Sequence, residues 1–205
     1  MHPKVLGADG WALVRKMVRA QLTAGWTLAG GTGLALQLGH RRSKDLDFFR
    51  AGPFEPETLI DTLARLGPVA LHGRSEGTLH VALEGTRLSY LSARAPLLFP
   101  GTPYRGLVVA DPRDIAVMKV VAIGGRGSRR DFVDLYFYIR SGGSLEALFD
   151  LVRRRFADID FNEYHLLRSL TYFGDAETEP MPRMLRRVGW RDIKVTITAE
   201  VRRLS

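Results

Sequence analysis

The apolar and polar positions along the chain predict a first half in which helices and strands alternate. Apolar residues three and four apart, as in Leu13, Val14 and Met17, indicate an amphipathic helix. Short apolar runs bounded by glycine or proline indicate strands. The predicted elements are helices over residues 9–23, 32–38 and 56–67 and strands over residues 26–30, 44–50, 69–72, 78–84 and 87–91.

The second half carries helical patterns only. Asp111 before a proline indicates the start of a helix that ends near residue 124. Further helices are predicted over residues 129–139, 145–156, 162–173 and 190–204, with an acidic loop over residues 174–183. We therefore expect an α/β (α+β) fold, with an α/β core and mixed sheet over residues 1–110 and a helical C-terminal region over residues 111–205 packed on it.

Composition narrows the class of protein. The 205 residues suit one ordinary domain, or one with a helical extension. The absence of cysteine excludes disulfides, thiolate zinc sites and a cysteine nucleophile, and it fits a reducing compartment. No apolar run approaches the roughly 20 residues of a membrane span, and the N-terminal residues lack a signal-peptide pattern. We expect a cytoplasmic protein without a membrane partner.

Positive charge is concentrated near the N-terminus. The chain has 30 Lys and Arg against 22 Asp and Glu, a net charge of +8. The first fifty residues hold eight of the basic residues and three of the acids, with Arg41, Arg42, Lys44 and Arg50 close together. Such a field suits a polyanion such as an NTP or RNA, although a solvated basic surface has the same composition.

The segment from Gly30 to Phe49, GGTGLALQLGHRRSKDLDFF, places two acids two residues apart. Side chains alternate along a strand, so Asp45 and Asp47 share one face. Two adjacent carboxylates repel each other unless a cation lies between them, and oxygen ligands suit Mg²⁺. The Gly30-Gly31 pair allows the backbone to approach a phosphate at the start of the next helix. An acidic pair at a solvated strand end remains the ordinary alternative.

Two further features carry charge on helices. Lys119 and Arg126 lie seven residues apart, two turns along one helical face, where they could bind phosphates. Asp131 and Asp134 lie three apart on a helix that is otherwise nearly all apolar, so these acids need a partner, a metal or a cleft. Structural ion pairs with neighbouring arginines are the alternative for both acids, and a lysine extending from an apolar helix is the alternative for Lys119.

The three features, in this order, resemble the AbiEii/AbiGii toxin family of nucleotidyltransferases in the DNA polymerase β-like superfamily. The matching segments are LAGGTGLALQLGHRRSKDLDFF (28–49), DIAVMKVVAIGGR (114–126) and RRDFVDLYFYI (129–139). The resemblance implies a polymerase β-like core and a metal-dependent transfer of NMP from an NTP, with Mg²⁺ or Mn²⁺ as cofactor. It also implies a toxin, with tRNA or another RNA as acceptor and an antitoxin protein as partner.

By this resemblance, each candidate site residue receives a role. Asp45 and Asp47 would be catalytic metal ligands, and Asp131 or Asp134 would complete the active site. We favour Asp134, because the helix dipole and adjacent arginines already account for an acid at Asp131. The nucleotide-binding residues would be Gly30, Gly31, Thr32, Ser43, Lys119 and Arg126.

One position departs from the polymerase β-like pattern. A later strand usually supplies a third metal-binding carboxylate, and here that position holds Ser89, with Glu84 at a predicted turn as the other candidate. Either Asp131 or Asp134 replaces the missing charge, or two-metal catalysis is weakened.

Two alternative functions therefore stand beside the RNA-directed enzyme. One is nucleotidyl transfer to a small molecule or a protein, and the other is a non-catalytic RNA- or protein-binding module on a degenerate fold.

Overall fold

The computed structural model describes residues 1–93, 95–157 and 162–204, and the strands of this part of the chain form one mixed sheet. Their order is β3-β4-β5-β2-β1-β7-β6. The strands are β1 (Thr27–Leu28), β2 (Leu46–Arg50), β3 (Val69–Ser75), β4 (Thr78–Leu83), β5 (Thr86–Ser92), β6 (Thr102–Tyr104) and β7 (Leu107–Val109). β2 pairs parallel with β5 and β1 parallel with β7, whereas the remaining neighbours are antiparallel. The predicted mixed sheet is confirmed.

Helices follow the periodic apolar segments. They are α1 (Ala8–Arg19), α2 (Gly30–Leu38), α3 (Pro56–Ala64), α4 (Pro112–Gly125), α5 (Arg129–Arg140), α6 (Leu145–Arg155), α7 (Glu163–Ser169), α8 (Gly174–Glu177) and α9 (Trp190–Leu204). Hydroxyl and carboxylate side chains cap several of these helices. Asp111 accepts a hydrogen bond from the Arg113 N–H at the start of α4, and Ser128 accepts one from the Asp131 N–H at the start of α5.

The two faces of the sheet differ in chemistry because side chains alternate along β2, β4 and β5. Phe48, Leu88 and Val81 point to one face and are buried in a core shared with α1 and α3. Asp47, Ser89 and His80 are directly paired across the three strands, so they share the opposite face. The polar side chains are thus on one face of β2, β4 and β5, and the apolar side chains on the other face of these strands are buried in the core.

A second core holds the later helices together. It contains apolar residues of α4, α5, α6, α7 and α9, among them Phe132 and Ile197. A small third cluster, formed by Ala29, Leu34, Ala110 and Ile115, lies between α2 and α4. The proposed division of the chain into domains at residue 110 stays a prediction.

Several element boundaries differ from the sequence-based expectation. β6 and β7 were not predicted, because three-residue strands carry too short a pattern. The helix expected over residues 162–173 ends at Ser169, and the acidic loop expected over residues 174–183 contains α8. α2 begins at Gly30, two residues early, and α1 ends at Arg19, four residues early. Among the described residues, no helix has the length and apolar character needed to cross a bilayer.

Candidate active site

The polar face of the sheet forms the floor of a cleft of about 460 Å³, walled by the start of α2 and by α4 and α5. Its lining is rich in charged and hydroxyl side chains. The lining residues are Gly31, Thr32, Arg41, Ser43, Asp45, Asp47, His72, His80, Val81, Arg87, Leu88, Ser89, Lys119, Arg126, Ser128, Arg130 and Asp131. Most of the sequence-predicted site residues therefore meet in one place.

Both acids of the DLD segment line this cleft. Asp45 directly precedes β2, and Asp47 is the second residue of the strand. Burial raises the pKa of Asp47, and the charge of Asp45 adds to this effect, while a hydrogen bond from Ser89 and the charge of Lys119 oppose it. Ionisation of Asp47 is therefore unfavourable in this site, and a bound cation would stabilise the ionised carboxylate. Metal binding by Asp45 and Asp47 stays a prediction.

Glycine is required at the start of α2 by close contacts on both sides. Gly30 has a φ of +57°, and a Cβ there would overlap the Asp47 carboxylate. A Cβ on Gly31 would overlap Nη2 of Arg41 and lie 3.3 Å from Oδ2 of Asp134. The backbone therefore passes between two charged side chains, and its free N–H groups remain available at the helix N-terminus.

Hydroxyl groups hold the loop before β2 against α2. The Thr32 hydroxyl donates to the carbonyl of Asp45 and lies 2.7 Å from Oγ of Ser43. Thr32 is buried, although its side chain reaches the cleft. These contacts fix Asp45 relative to the helix N-terminus, so any phosphate bound there would lie beside the acids.

Asp134 does not line the cleft, and the prediction that it reaches the reacting groups is wrong. Its carboxylate is 0% exposed. Oδ1 accepts hydrogen bonds from Nε of Arg41 at 2.6 Å and from Nε2 of His40 at 2.8 Å, and Oδ2 accepts one from Nη2 of Arg41 at 2.8 Å. Lys119 Nζ is 2.9 Å from Oδ2. Every acceptor position of this acid is directed at a neighbouring side chain.

Charge pairing keeps Asp134 ionised despite its burial. Burial alone would raise the pKa of Asp134, but the charges of Arg41 and Lys119 and the hydrogen bonds from Arg41 and His40 hold it well below its usual value. For Arg41 and Lys119, burial alone would lower the pKa, and the neighbouring acids raise it. Both bases are charged, and Asp134 is their buried counter-ion.

Sequence reasoning missed the role of Arg41. Arg41 was assigned to an exposed basic region, yet it is buried and spans the space between Asp134 and the cleft. Burial lowers the pKa of His40, so this buried imidazole is neutral and donates from Nε2 to Asp134. The sequence signal was only two basic residues directly after a buried helix, which does not distinguish a buried arginine from an exposed one.

Asp131, in contrast, reaches the cleft. Its carboxylate accepts hydrogen bonds from Nζ of Lys119 at 2.7 Å and from Oγ of Ser128 at 2.7 Å. The Lys119 ammonium is therefore shared between Asp131 and Asp134, and it also lines the cleft. One lysine connects the buried ion pairs to the open site.

Arg126 lines the cleft for a reason different from the predicted one. It is the residue after the end of α4, with an extended backbone (φ −148°), so it does not share a helical face with Lys119. Arg130, in the first turn of α5, lies with Nη1 3.7 Å from Oδ2 of Asp45. Both arginines add positive charge at the solvent side of the cleft.

A distant segment of the chain pairs with the loop that carries Arg41. The Arg42 N–H donates to the carbonyl of Arg183 at 2.8 Å, and the Leu185 N–H donates to the carbonyl of His40 at 2.8 Å. Arg41 and Met184 form an isolated antiparallel bridge. We call residues 183–186 the strap. It fixes the backbone on both sides of Arg41.

The acids of the cleft fit a metal that is shared with a substrate. In the described parts of the chain, no group of three or more His, Asp or Glu side chains is arranged to hold a metal ion by itself. Mg²⁺, however, is commonly bound through one or two carboxylates together with substrate phosphates and water. Asp45 and Asp47 supply two such carboxylates beside a helix N-terminus that suits a phosphate.

The structure resembles solved nucleotidyltransferases over most of its length. The crystal structure of JHP933 from Helicobacter pylori is similar with a TM-score of 0.55 at 15% identity, covering 97% of this chain and 93% of that one. The crystal structure of ANT(2")-Ia in complex with adenylyl-2"-tobramycin is similar with a TM-score of 0.55 at 14% identity. The match covers 75% of this chain and 100% of that one. The fold is therefore that of a nucleotidyltransferase.

Sequence comparison identifies the family. The model of the nucleotidyl transferase AbiEii toxin family, described as a type IV toxin–antitoxin system, matches residues 11–93 and 87–203. This chain belongs to that family. It is also 38% identical over 173 residues to the protein aq_aa25 of Aquifex aeolicus (strain VF5), covering 81% of this chain and 82% of that protein.

Proposed function

We propose that this protein transfers a nucleoside monophosphate from an NTP to an acceptor hydroxyl, with Asp45 and Asp47 as the acids that hold Mg²⁺ or Mn²⁺. One observation carries the proposal. Two neighbouring acids, a glycine turn at a helix N-terminus and a buried, charged lysine line the same cleft. These groups are the ones that in-line attack at an α-phosphorus requires.

Different groups of the protein would bind different parts of the triphosphate. Backbone N–H groups at Gly31 and Thr32 would bind phosphate oxygens, and the Ser43 hydroxyl lies beside them. Lys119 and Arg126 would neutralise the charge of the departing pyrophosphate. A metal bound at Asp45 and Asp47 would supply Lewis-acid stabilisation of the phosphoryl oxygens.

The buried ion pairs would act by positioning. Asp134 holds Lys119 and Arg41 from behind, and Asp131 holds the Lys119 ammonium from the cleft side. With two acids fixing it, the ammonium requires little reorganisation when a phosphate arrives. In this proposal Asp131 lies at the reacting groups, and Asp134 is a structural counter-ion.

An RNA acceptor suits the charge of the cleft. Arg87, Arg126 and Arg130 line its open side, where they would attract a phosphodiester backbone. A cytoplasmic toxin that modifies tRNA or another RNA, and that an antitoxin protein counteracts, is the corresponding biological role. The alternatives are transfer to a small molecule or a protein, and a non-catalytic binding module, for which Ser89 is the supporting observation.

Incubation with each of four α-³²P-labelled NTPs, Mg²⁺ and total RNA tests the proposal. Label should appear in RNA and require the divalent ion, and Asp45→Asn with Asp47→Asn should abolish it. Label in protein or in a small-molecule fraction would favour the other acceptors. RNA binding without nucleotide transfer, unaffected by the two substitutions, would favour the non-catalytic module and refute the proposal.

A further inference from the structure

A histidine lies beside the position where the third carboxylate is missing. Ser89 on β5 is the direct cross-strand partner of Asp47 on β2, and His80 on β4 is the direct partner of Ser89 on its other side. Nδ1 of His80 is 3.1 Å from Oγ of Ser89. Both side chains line the cleft, and His80 is exposed to it.

The direction of the hydrogen bonds between Asp47, Ser89 and His80 bears on which ring nitrogen of His80 carries a proton. Ser89 lies between Asp47 and His80 on neighbouring strands, and a hydrogen bond from its hydroxyl lowers the pKa of Asp47 against the larger effect of burial. A serine hydroxyl has one hydrogen, so its oxygen must accept the bond from His80. This arrangement favours the tautomer in which Nδ1 of His80 carries the proton and Nε2 keeps a free electron pair.

We propose that His80 is the general base of the transfer, with Ser89 as the positioning residue that holds its Nε2 ready to accept the proton of the acceptor hydroxyl. This inference rests on the proposed function. It names a proton acceptor on the same face of the sheet as Asp47, whereas Asp131 is ion-paired with Lys119, and Asp134 with Arg41 and Lys119.

The step balances in atoms and charge. The acceptor oxygen forms a bond to the α-phosphorus, its proton moves to Nε2 of His80, and the bond from the α-phosphorus to the bridging oxygen breaks. The electron pair leaves with pyrophosphate. The charged groups that line the cleft with His80 are Arg41, Asp45, Asp47, Arg87, Lys119, Arg126, Arg130 and Asp131. His72 also lines the cleft, but no hydrogen bond joins it to Ser89 within the described residues.

The tautomer can be measured without any acceptor. Long-range ¹H–¹⁵N spectra of the histidine rings at alkaline pH should show His80 protonated at Nδ1 and unprotonated at Nε2. Ser89→Ala should remove this preference, because the acceptor for Nδ1–H is lost. A parent protein in which His80 is protonated at Nε2 would overturn the proposal.

Kinetics test the catalytic role with total RNA and labelled Mg-NTP as the probe. General-base catalysis contributes about 100-fold or more, so His80→Ala should lower kcat by about that factor and leave the Kd for NTP within about twofold. The double variant with His80→Ala and Ser89→Asp should have a kcat at least about tenfold higher than His80→Ala alone. The reason is that an aspartate then stands where the third metal-binding carboxylate is missing. His72→Ala should cost less than His80→Ala.

The outcomes separate the two proposals. A parent protein that transfers no nucleotide would refute the proposed function and the role of His80 with it. An active parent whose His80→Ala variant keeps kcat within about threefold would refute only the role of His80. A loss in His80→Ala that appears in NTP affinity, and that Ser89→Asp does not relieve, would also overturn it.

Discussion

Replacing Asp134 with asparagine removes a buried counter-ion. The change keeps the size of the side chain and one acceptor oxygen, but it removes the negative charge and directs an amide N–H₂ at donor groups. Arg41 and Lys119 are both charged, and among the described residues Asp131 would be the remaining acid in an ion pair with either of them, through Lys119. One uncompensated positive charge is then left in a site where Asp134 itself is 0% exposed.

The expected cost follows from this arrangement. Breaking a buried ion pair by removing one partner costs about 3–5 kcal/mol, and Asp134 contacts Arg41 through both of its oxygens. For a domain of this size, each kcal/mol changes Tm by about 2–4 °C, so Asp134→Asn should lower Tm by about 6–20 °C. Urea denaturation followed by circular dichroism would measure the change in the free energy of unfolding.

Asp150→Asn is the matched control for this measurement. Asp150 pairs with Arg153 at 2.6 Å, but its side chain is 65% exposed, so its loss should change stability by about 0.5 kcal/mol or less. A cost below about 1 kcal/mol for Asp134→Asn would refute the buried counter-ion. A folded Asp134→Asn protein should transfer nucleotides at a reduced rate, because Lys119 and Arg41 lose an acid that positions them.

Acid provides an independent check on Asp134. The folded-state pKa of this carboxyl lies well below its unfolded value of 3.8, so its contribution to stability is fully present above about pH 4. That contribution is lost as the pH falls from there towards the folded-state pKa. The difference in stability between the parent and Asp134→Asn should therefore shrink as the pH is lowered below about 4.

Three further predictions concern the cleft. Asp45→Asn with Asp47→Asn should abolish Mg²⁺-dependent NTP binding, measured by calorimetry. Tm should stay unchanged or rise, because burial and the like charge of Asp45 raise the pKa of Asp47. A large loss of Tm with intact NTP binding would show that the pair is structural. Gly31→Ala should displace Arg41 and weaken NTP binding by about tenfold or more. Gly7→Ala is the control and should leave NTP binding unchanged, because a Cβ there has nothing within 4 Å. Equal NTP affinity in both variants would contradict the close contact between Gly31 and Arg41. Asp131→Asn should lower kcat by about tenfold or more and cost about 1–3 kcal/mol of stability, less than Asp134→Asn; unchanged turnover would remove Asp131 from the reaction.

The elements that the sequence predicts well are those with several periods of apolar residues. α4, α5, α6 and α9 lie close to their predicted bounds because each has at least three turns of pattern. The strands β4 and β5 likewise lie within one residue of expectation. β7 was not predicted, because its pairing with β1 joins two very short segments that lie far apart in the sequence.

The placement of the candidate site residues was only partly predictable. Strand alternation and the glycine turn are local properties, and they brought Asp45, Asp47 and Gly31 to one cleft. The roles of Asp131 and Asp134 depend on rotation of α5 about its axis, which tertiary packing decides. The first-turn acid faces the cleft and the inner acid faces Arg41, the reverse of the preference based on local charge.

The strap makes assembly of the cleft depend on the order of synthesis. Residues 183–186 hydrogen-bond to His40 and Arg42, so the backbone around Arg41 lacks these partners until the strap has left the ribosome. Arg41 is also the main partner of Asp134 on α5. A nascent chain that ends before residue 183 should therefore hold the backbone around Arg41, and with it this side of the cleft, loosely. We expect the nascent chain to gain the proposed activity only after the strap has emerged from the ribosome.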